Sequence, residues 1–231
     1  MGFTSLQFCA FDLETTGINV NEDRIVTANI THIDPITGHV DSTNWLANPG
    51  IDISPQATEV HVISNEHARQ HGRPHDDVVQ EVATNLTTAW NDGKAIIVYN
   101  APFDLSMMTA LTQQQFQVGG LVIDPLTLDR ALSFRRGSRK LVDVAKHYEL
   151  PVDEGNAHAA DYDALLAARI AWRVLRRFKR QLPSTIEDLM LYQSNAYRCQ
   201  HESLKKYMES KGTQISGDAG WPVQHSVTTG N

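Results

Sequence analysis

Four carboxylates and one histidine carry the chemistry legible in this chain. They are Asp12 and Glu14 in Phe11-Asp-Leu-Glu-Thr-Thr-Gly17, Asp104 closing Asn100-Ala-Pro-Phe-Asp104, and His158 with Asp163 in His158-Ala-Ala-Asp-Tyr-Asp163. Hard divalent cations such as Mg²⁺ or Mn²⁺ take carboxylate oxygens. Two such ions beside a general base suit the hydrolysis of phosphodiesters. Asp12 and Glu14 are two apart on an expected strand, so both project from one face, and acids so crowded repel unless a cation lies between them. The pair alone is weak: with 27 acids in 231 residues, roughly three i,i+2 acidic pairs arise by chance. The plainer alternative is a strand edge whose acids face water, but Phe8, Ala10, Phe11 and Leu13 describe a buried strand.

Asp104 falls just past a strand end, near the start of a helix, where an acid complements the helix dipole without any further role. Asn100 and Phe103 beside it could hold or stack a substrate, although Asn at a strand end is also an ordinary turn residue. His158 and Asp163, five apart, would diverge by about 140° on a continuous helix. The spacing therefore puts His158 on the approach and Asp163 in the first turn. Asp163 shares a stripe with Leu166, Ile170 and Val174, so it faces the body of the domain, where an acid needs a partner or a metal. A histidine on such an approach suits a base that deprotonates water, although with ten in the chain most are plain surface residues. Asp161 reads as a helix N-cap.

The elements that must position these residues follow from apolar periodicity. Residues 6–13 read as a buried strand ended by Thr15-Thr16-Gly17; residues 24–33 and 39–47 follow as strands, giving an antiparallel meander broken at Asn48-Pro49-Gly50. Val78, Val79, Val82, Leu86 and Trp90 keep a helical period up to Asp92-Gly93. A short strand at 95–99 precedes a helix with Pro102 as its first residue. Another strand at 121–123, a helix ending before Pro151 and a long helix from 161 to 181, closed by Pro183, complete the alternation. A meander followed by helix–strand alternation implies a mixed sheet flanked by helices. Beyond Pro183 an amphipathic helix is expected, with Ile186, Leu189, Met190, Tyr197, Leu204 and Tyr207 on one side. Residues 216–231 read as a mobile tail anchored at Trp221-Pro222.

The net charge of −7 argues against broad electrostatic attraction to nucleic acid, although part of that excess is the acids singled out above. Positive charge gathers at Arg135–Lys140 and again at Arg173, Arg176, Arg177, Lys179 and Arg180; the second group reads as a solvated helix face. Cys9 and Cys199 make neither a metal spacing nor a disulfide framework, and Cys9 reads as a small buried hydrophobe. No apolar run approaches the roughly 20 residues of a membrane span, and the start shows no signal-type block. The expectation is a cytoplasmic protein without a membrane partner.

The ordered set resembles the DEDDh (DnaQ-like) family of 3′–5′ exonucleases, which includes the proofreading subunit of bacterial replicative DNA polymerase, ribonuclease T and oligoribonuclease. Phe11–Gly17 matches its first motif, Asn100–Asp104 its second, and His-x-Ala-x-x-Asp at 158–163 its third. The sister branch has Tyr where this chain has Ala159, which places the chain in the histidine branch. Val60-His61-Val-Ile63 and Lys140–Tyr148 resemble further family segments, so the resemblance covers residues 6–180. It implies a ribonuclease H-like α/β fold and an exonuclease domain at 1–183, with a helical extension and flexible tail at 184–231. It also implies two ions, Mg²⁺ or Mn²⁺, with Asp12, Glu14 and Asp163 on the first, Asp12 shared with the second and Asp104 supporting the second through water. His158 would deprotonate the attacking water, and nucleoside 5′-monophosphates would leave a 3′ end. Leu13, Thr15, Thr16, His61, Asn100 and Phe103 would hold the terminal nucleotide, and the basic loop Arg135–Lys140 could contact phosphates.

Single-stranded or frayed DNA 3′ ends are the expected substrate, in proofreading, repair or nucleotide recycling. Short RNAs and an idle nucleic-acid-binding module are the alternatives. The chain departs from the family in two places. Pro125 follows Asp124 where Thr is usual, which is expected to alter only a turn. The segment after Pro183 does not resemble the clamp-and-polymerase-binding tail of the proofreading subunit but the tails of stand-alone bacterial and phage exonucleases, which weakens the case for a polymerase partner.

Overall fold

The meander of β1 (Phe8–Thr15), β2 (Ile25–Ile33) and β3 (Val40–Asn48) is formed by three strands that pair antiparallel in chain order. The computed structural model describes residue 3 and residues 6–153, 160–214 and 219–225. His158 and Ala159 of the third motif therefore lie outside the described residues. After α1 (Pro55–His61) and α2 (Asn65–His71), the two-residue β4 (Arg73–Pro74) adds parallel to β3. Then come α3 (His75–Asn91), β5 (Ala95–Ile97), α4 (Ala101–Leu111), β6 (Val122–Ile123), α5 (Pro125–Leu132), α6 (Leu141–His147), α7 (Ala160–Arg177) and α8 (Ile186–Ser210). The sheet runs β4-β3-β2-β1-β5-β6, with β5 parallel to β1 and β6 parallel to β5. This is the mixed ribonuclease H-like arrangement expected from the sequence.

Alternation along β1 divides the core. Cys9, Phe11 and Leu13 join Ala28, Ile30 and Trp45 on one face, under Val78, Val82 and Leu86 of α3 and Leu105 and Met108 of α4. Phe8 and Ala10 join Ala95 and Ile97 on the other, under Leu128, Val144 and the α7 stripe of Leu166, Ile170 and Val174. Ala164, Ala167, Ala168 and Ala171 are all buried, and such short side chains let α7 lie close to the sheet. Each fully buried Leu, Ile, Val or Phe contributes about 1.5–3 kcal/mol relative to its exposure.

Several local expectations are corrected. Asp124-Pro125 opens a helix rather than altering a turn: Asp124 caps α5, accepting from the Leu126 and Thr127 N–H groups, with Pro125 in the first turn. Pro102 is the second residue of α4, after Ala101. Asp161 lies inside the first turn of α7, which begins at Ala160, so it is not the N-cap. The same helix stops at Arg177, short of 181.

On α8, Leu189 is buried and Met190 and Tyr197 are half-buried against the body, but Ile186, Leu204 and Tyr207 are exposed. The second half of that helix has little to pack against. In the first basic group Arg139 and Arg135 turn inward to the buried Asp129, leaving Arg136 and Lys140 exposed. In the second, the Arg176 guanidinium lies 4.4 Å from the Trp172 ring centroid rather than simply facing water. Trp221 is buried in the core, as expected of an anchor. Among the described residues no helix is long and apolar enough to cross a membrane.

Candidate active site

The candidate site forms where β1 outruns its neighbour. The β1–β5 ladder ends at Ala10 opposite Ile97, so later N–H groups on that side of β1 need other partners. Asp104, in the first turn of α4 and only 4% exposed, supplies one: its Oδ1 accepts the Leu13 N–H at 3.1 Å. Asp12 and Glu14 point to the α7 face, opposite Asn29 and Thr27 of β2. Asp163, buried in the first turn of α7, faces them. Three separate segments thus deliver four carboxylates to one end of β1.

Burial and mutual repulsion raise the pKa values of three of them. Burial is the main cause holding the Asp12 carboxyl well above the usual range, and Asp104, Glu14 and Asp163 each push it further. Glu14 is raised to about 7, first by burial and then by Asp163. Asp104 is also raised by burial, against the opposing N–H bonds from Leu13 and its own backbone. Like charges so close cannot all ionise without a counter-charge. Among the described residues no three His, Cys, Asp or Glu side chains stand arranged to hold a metal ion. The donor chemistry nevertheless fits one: hard carboxylate oxygens, partly or fully buried, that repel one another and call for positive charge.

The end of β1 and the segment after it are tied down by hydrogen bonds. The Thr15 hydroxyl donates to the Gly17 carbonyl (2.6 Å). The Thr16 hydroxyl, 1% exposed, donates to Asp23 (2.6 Å) and accepts the Arg24 N–H (3.0 Å). A Cβ at Gly17 would stand 2.5 Å from the Asp23 carboxylate, so a larger residue there would push Asp23 off the Thr16 hydroxyl. The Thr16 carbonyl accepts from Ser54, the N-cap of α1. That anchors α1, whose last residue, His61, is buried. Burial lowers the His61 pKa, while the neighbouring Thr15 backbone raises it.

Asn100 is exposed and adopts left-handed φ 71°, ψ 51° as the N-cap of α4. Asn tolerates this region better than most residues. Its side chain makes no capping bond. Phe103, one residue before Asp104, is partly buried against the core. The structure therefore gathers Asp12, Glu14, Asp104, Asp163 and Leu13 directly. Thr15 and Thr16 follow Glu14 along the chain, His61 lies beside the Thr15 backbone, and Asn100 and Phe103 flank Asp104 along the chain. His158 lies outside the described residues.

Sequence reasoning missed the support beneath α4. Asp124 is fully buried and accepts from the N–H groups of Asn100 (3.1 Å) and Ala101 (3.2 Å), from both amides at the start of α5, from the Thr127 hydroxyl (2.8 Å) and from the Trp221 indole (3.4 Å). Gln193 of α8, also fully buried, accepts the Asp124 N–H (2.8 Å) and donates to the Val122 carbonyl (2.9 Å). The Asp-Pro pair, an N-cap followed by a first-turn proline, was the available signal. Asp129 was missed too: it pairs with Arg139 and accepts the Tyr148 hydroxyl at 2.8 Å.

Residues 9–171 match the RNase T family model, described as an exonuclease. The chain is 26% identical over 203 residues to the 3′-5′ exonuclease DinG of Staphylococcus haemolyticus (strain JCSC1435), covering 84% of this chain and 21% of that relative. This chain therefore spans about a fifth of the relative's length. Among solved structures it superposes on E. coli Exonuclease I in complex with a dT13 oligonucleotide (TM-score 0.64, 18% identity, 86% of this chain and 45% of that one). It also superposes on the nuclease domain of 3′hExo, a DEDDh family member, bound to rAMP (TM-score 0.61, 16% identity, 77% and 95%).

Proposed function

The chain belongs to the RNase T exonuclease family, and from that premise we propose that this 3′–5′ exonuclease releases nucleoside 5′-monophosphates from single-stranded or frayed DNA 3′ ends in the cytoplasm. The observation that supports this reading is the convergence of Asp12, Glu14, Asp104 and Asp163 on one end of β1, the first three each raised by burial and by neighbouring acids. Asp12, Glu14 and Asp163 would hold one Mg²⁺ or Mn²⁺, and Asp12 with Asp104 a second. Such ions supply Lewis-acid polarisation of the phosphate and stabilise charge on the leaving oxygen.

The chain's own residues do the rest. His158 takes a proton from the attacking water as general base. The Asp104 carboxylate, fixed by the Leu13 N–H, keeps the end of β1 and the start of α4 in register. The exposed Asn100 side chain and the Phe103 ring hold the terminal nucleotide, while Leu13, Thr15, Thr16 and the buried His61 shape the wall behind it. A pocket around a terminal base requires that base to be splayed from its stack, which favours unpaired ends. In this reading residues 1–183 form the catalytic unit and 184–231 a C-terminal extension.

The test uses 5′-labelled single-stranded DNA and RNA of one sequence with Mg²⁺, Mn²⁺ or EDTA. A metal-dependent ladder descending from the 3′ end and stronger on DNA is expected. A stronger ladder on RNA would move the function to RNA trimming; no ladder, with binding retained in EDTA, would refute the catalytic reading.

A further inference from the structure

We propose that the groove between α5 and α8 binds the single-stranded segment immediately 5′ of the scissile bond, with Arg130 on a backbone phosphate and the Tyr197–His201 ring pair against the bases. The groove encloses about 570 Å³ and is lined by Asn100, Arg130, Tyr197, Gln200, His201 and Leu204. Asn100 is the connection: it lies one helical turn before Asp104 and lines this groove, so a strand whose terminus sits beside Asp104 can run on into it.

The chemistry along the groove suits that occupant. Arg130 is exposed and, unlike Arg135 and Arg139, makes no ion pair among the described residues. Its charge is therefore available to a phosphate, in a chain whose net charge is −7. Tyr197 and His201, one helical turn apart, stand with ring centroids 6.4 Å apart and planes 29° from parallel. Tyr197 also packs on the core, which gives a fixed aromatic platform, and stacking on such platforms accepts any base.

The wall is held in place. Gln200 donates to the Thr127 carbonyl of α5 at 3.0 Å, and Gln193 binds β6 and Asp124. Helix α8 lies beyond the family-matched residues 9–171, so this contact belongs to the extension. It gives the extension a role: contact with several nucleotides, and hence a preference for longer strands over dinucleotides.

The inference rests on the exonuclease reading, and the experiment separates the two. Turnover of dT2 and dT8 with Mg²⁺ is measured for the wild type and for Arg130→Ala, Tyr197→Ala and Arg130→Lys, with thermal midpoints as a folding control. The wild type should favour dT8. Arg130→Ala and Tyr197→Ala should each raise the dT8 KM by about tenfold with kcat nearly constant and lower dT2 turnover by less than about twofold; the midpoint should stay in place for Arg130→Ala and fall for Tyr197→Ala, which also gives up core packing. Arg130→Lys should recover much of the loss. A wild type active on dT8 with variants of unchanged KM, or variants that lose equally on dT2 and dT8, would overturn the groove assignment alone. A wild type inactive on both would overturn the exonuclease reading and this inference with it.

Discussion

Without divalent cations, Glu14→Gln should stabilise the protein, and only above about pH 5. Burial and Asp163 raise Glu14 from 4.5 to about 7, so its folded pKa lies above its unfolded one. Below pH 4.5 both states are protonated and the residue makes no difference. Between 4.5 and 7 the unfolded chain ionises while the folded one resists, and stability falls with rising pH. Above 7 the full difference is lost. At 1.36 kcal/mol per pH unit this is an upper value of about 3 kcal/mol, reduced by whatever solvent reaches the partly exposed side of Glu14. Glutamine cannot ionise, so at pH 8 in EDTA the variant's melting midpoint should exceed the wild type's by as much as about 6–12 °C for a chain of this size. At pH 4.5 the two midpoints should coincide. Saturating Mg²⁺ at pH 8 should raise the wild type and leave Glu14→Gln much less affected. A variant destabilised equally at both pH values, or a wild type whose EDTA midpoint is flat from pH 4.5 to 8, would refute the crowding argument.

Asp163→Ala should lower Mg²⁺-dependent hydrolysis by about a thousandfold or more while far-UV circular dichroism stays native; loss of the folded spectrum would make the acid structural. His158→Ala should reduce kcat by about 10²–10⁴-fold, and a rate within twofold of wild type would remove the general base. Asp124→Ala strips acceptors from the buried N–H groups of Ala101, Leu126 and Thr127 and from the part-buried N–H of Asn100 and should cost more than about 4 kcal/mol in urea unfolding; a cost under 1 kcal/mol would contradict its central place. Cys9 is buried and its thiol is pushed up to about 12, so at pH 8 a thiol reagent should label only Cys199 in the native protein and both cysteines in denaturant.

What the sequence made legible were features with a strong period or a fixed order. The meander is visible because three β-rich runs are separated by unmistakable breakers. Asp163 is visible as an inward acid because Leu166, Ile170 and Val174 fix the buried face of α7. Less visible were residues whose role depends on partners far along the chain. Nothing local to Asp124 announces the Trp221 indole or the Gln193 amide, 97 and 69 residues away. Arg139 and Arg135 read as a phosphate-seeking loop until the buried Asp129 is seen to hold them. The apolar period of α8 was real, but periodicity says nothing about how far the partner surface extends: it ends near Tyr197, and Leu204 and Tyr207 stay exposed.

The bond from Trp221 to Asp124 also orders events during synthesis. The carboxylate that fixes the start of α4 gains its last donor from a residue 97 positions downstream, and the Gln224 N–H then closes onto Ser106 of the same helix at 2.8 Å. At about 5–20 residues per second, that interval lasts roughly 5–20 s. A nascent chain thus carries its acidic motifs before Trp221 and Gln224, the donors that finish their scaffold, have been translated.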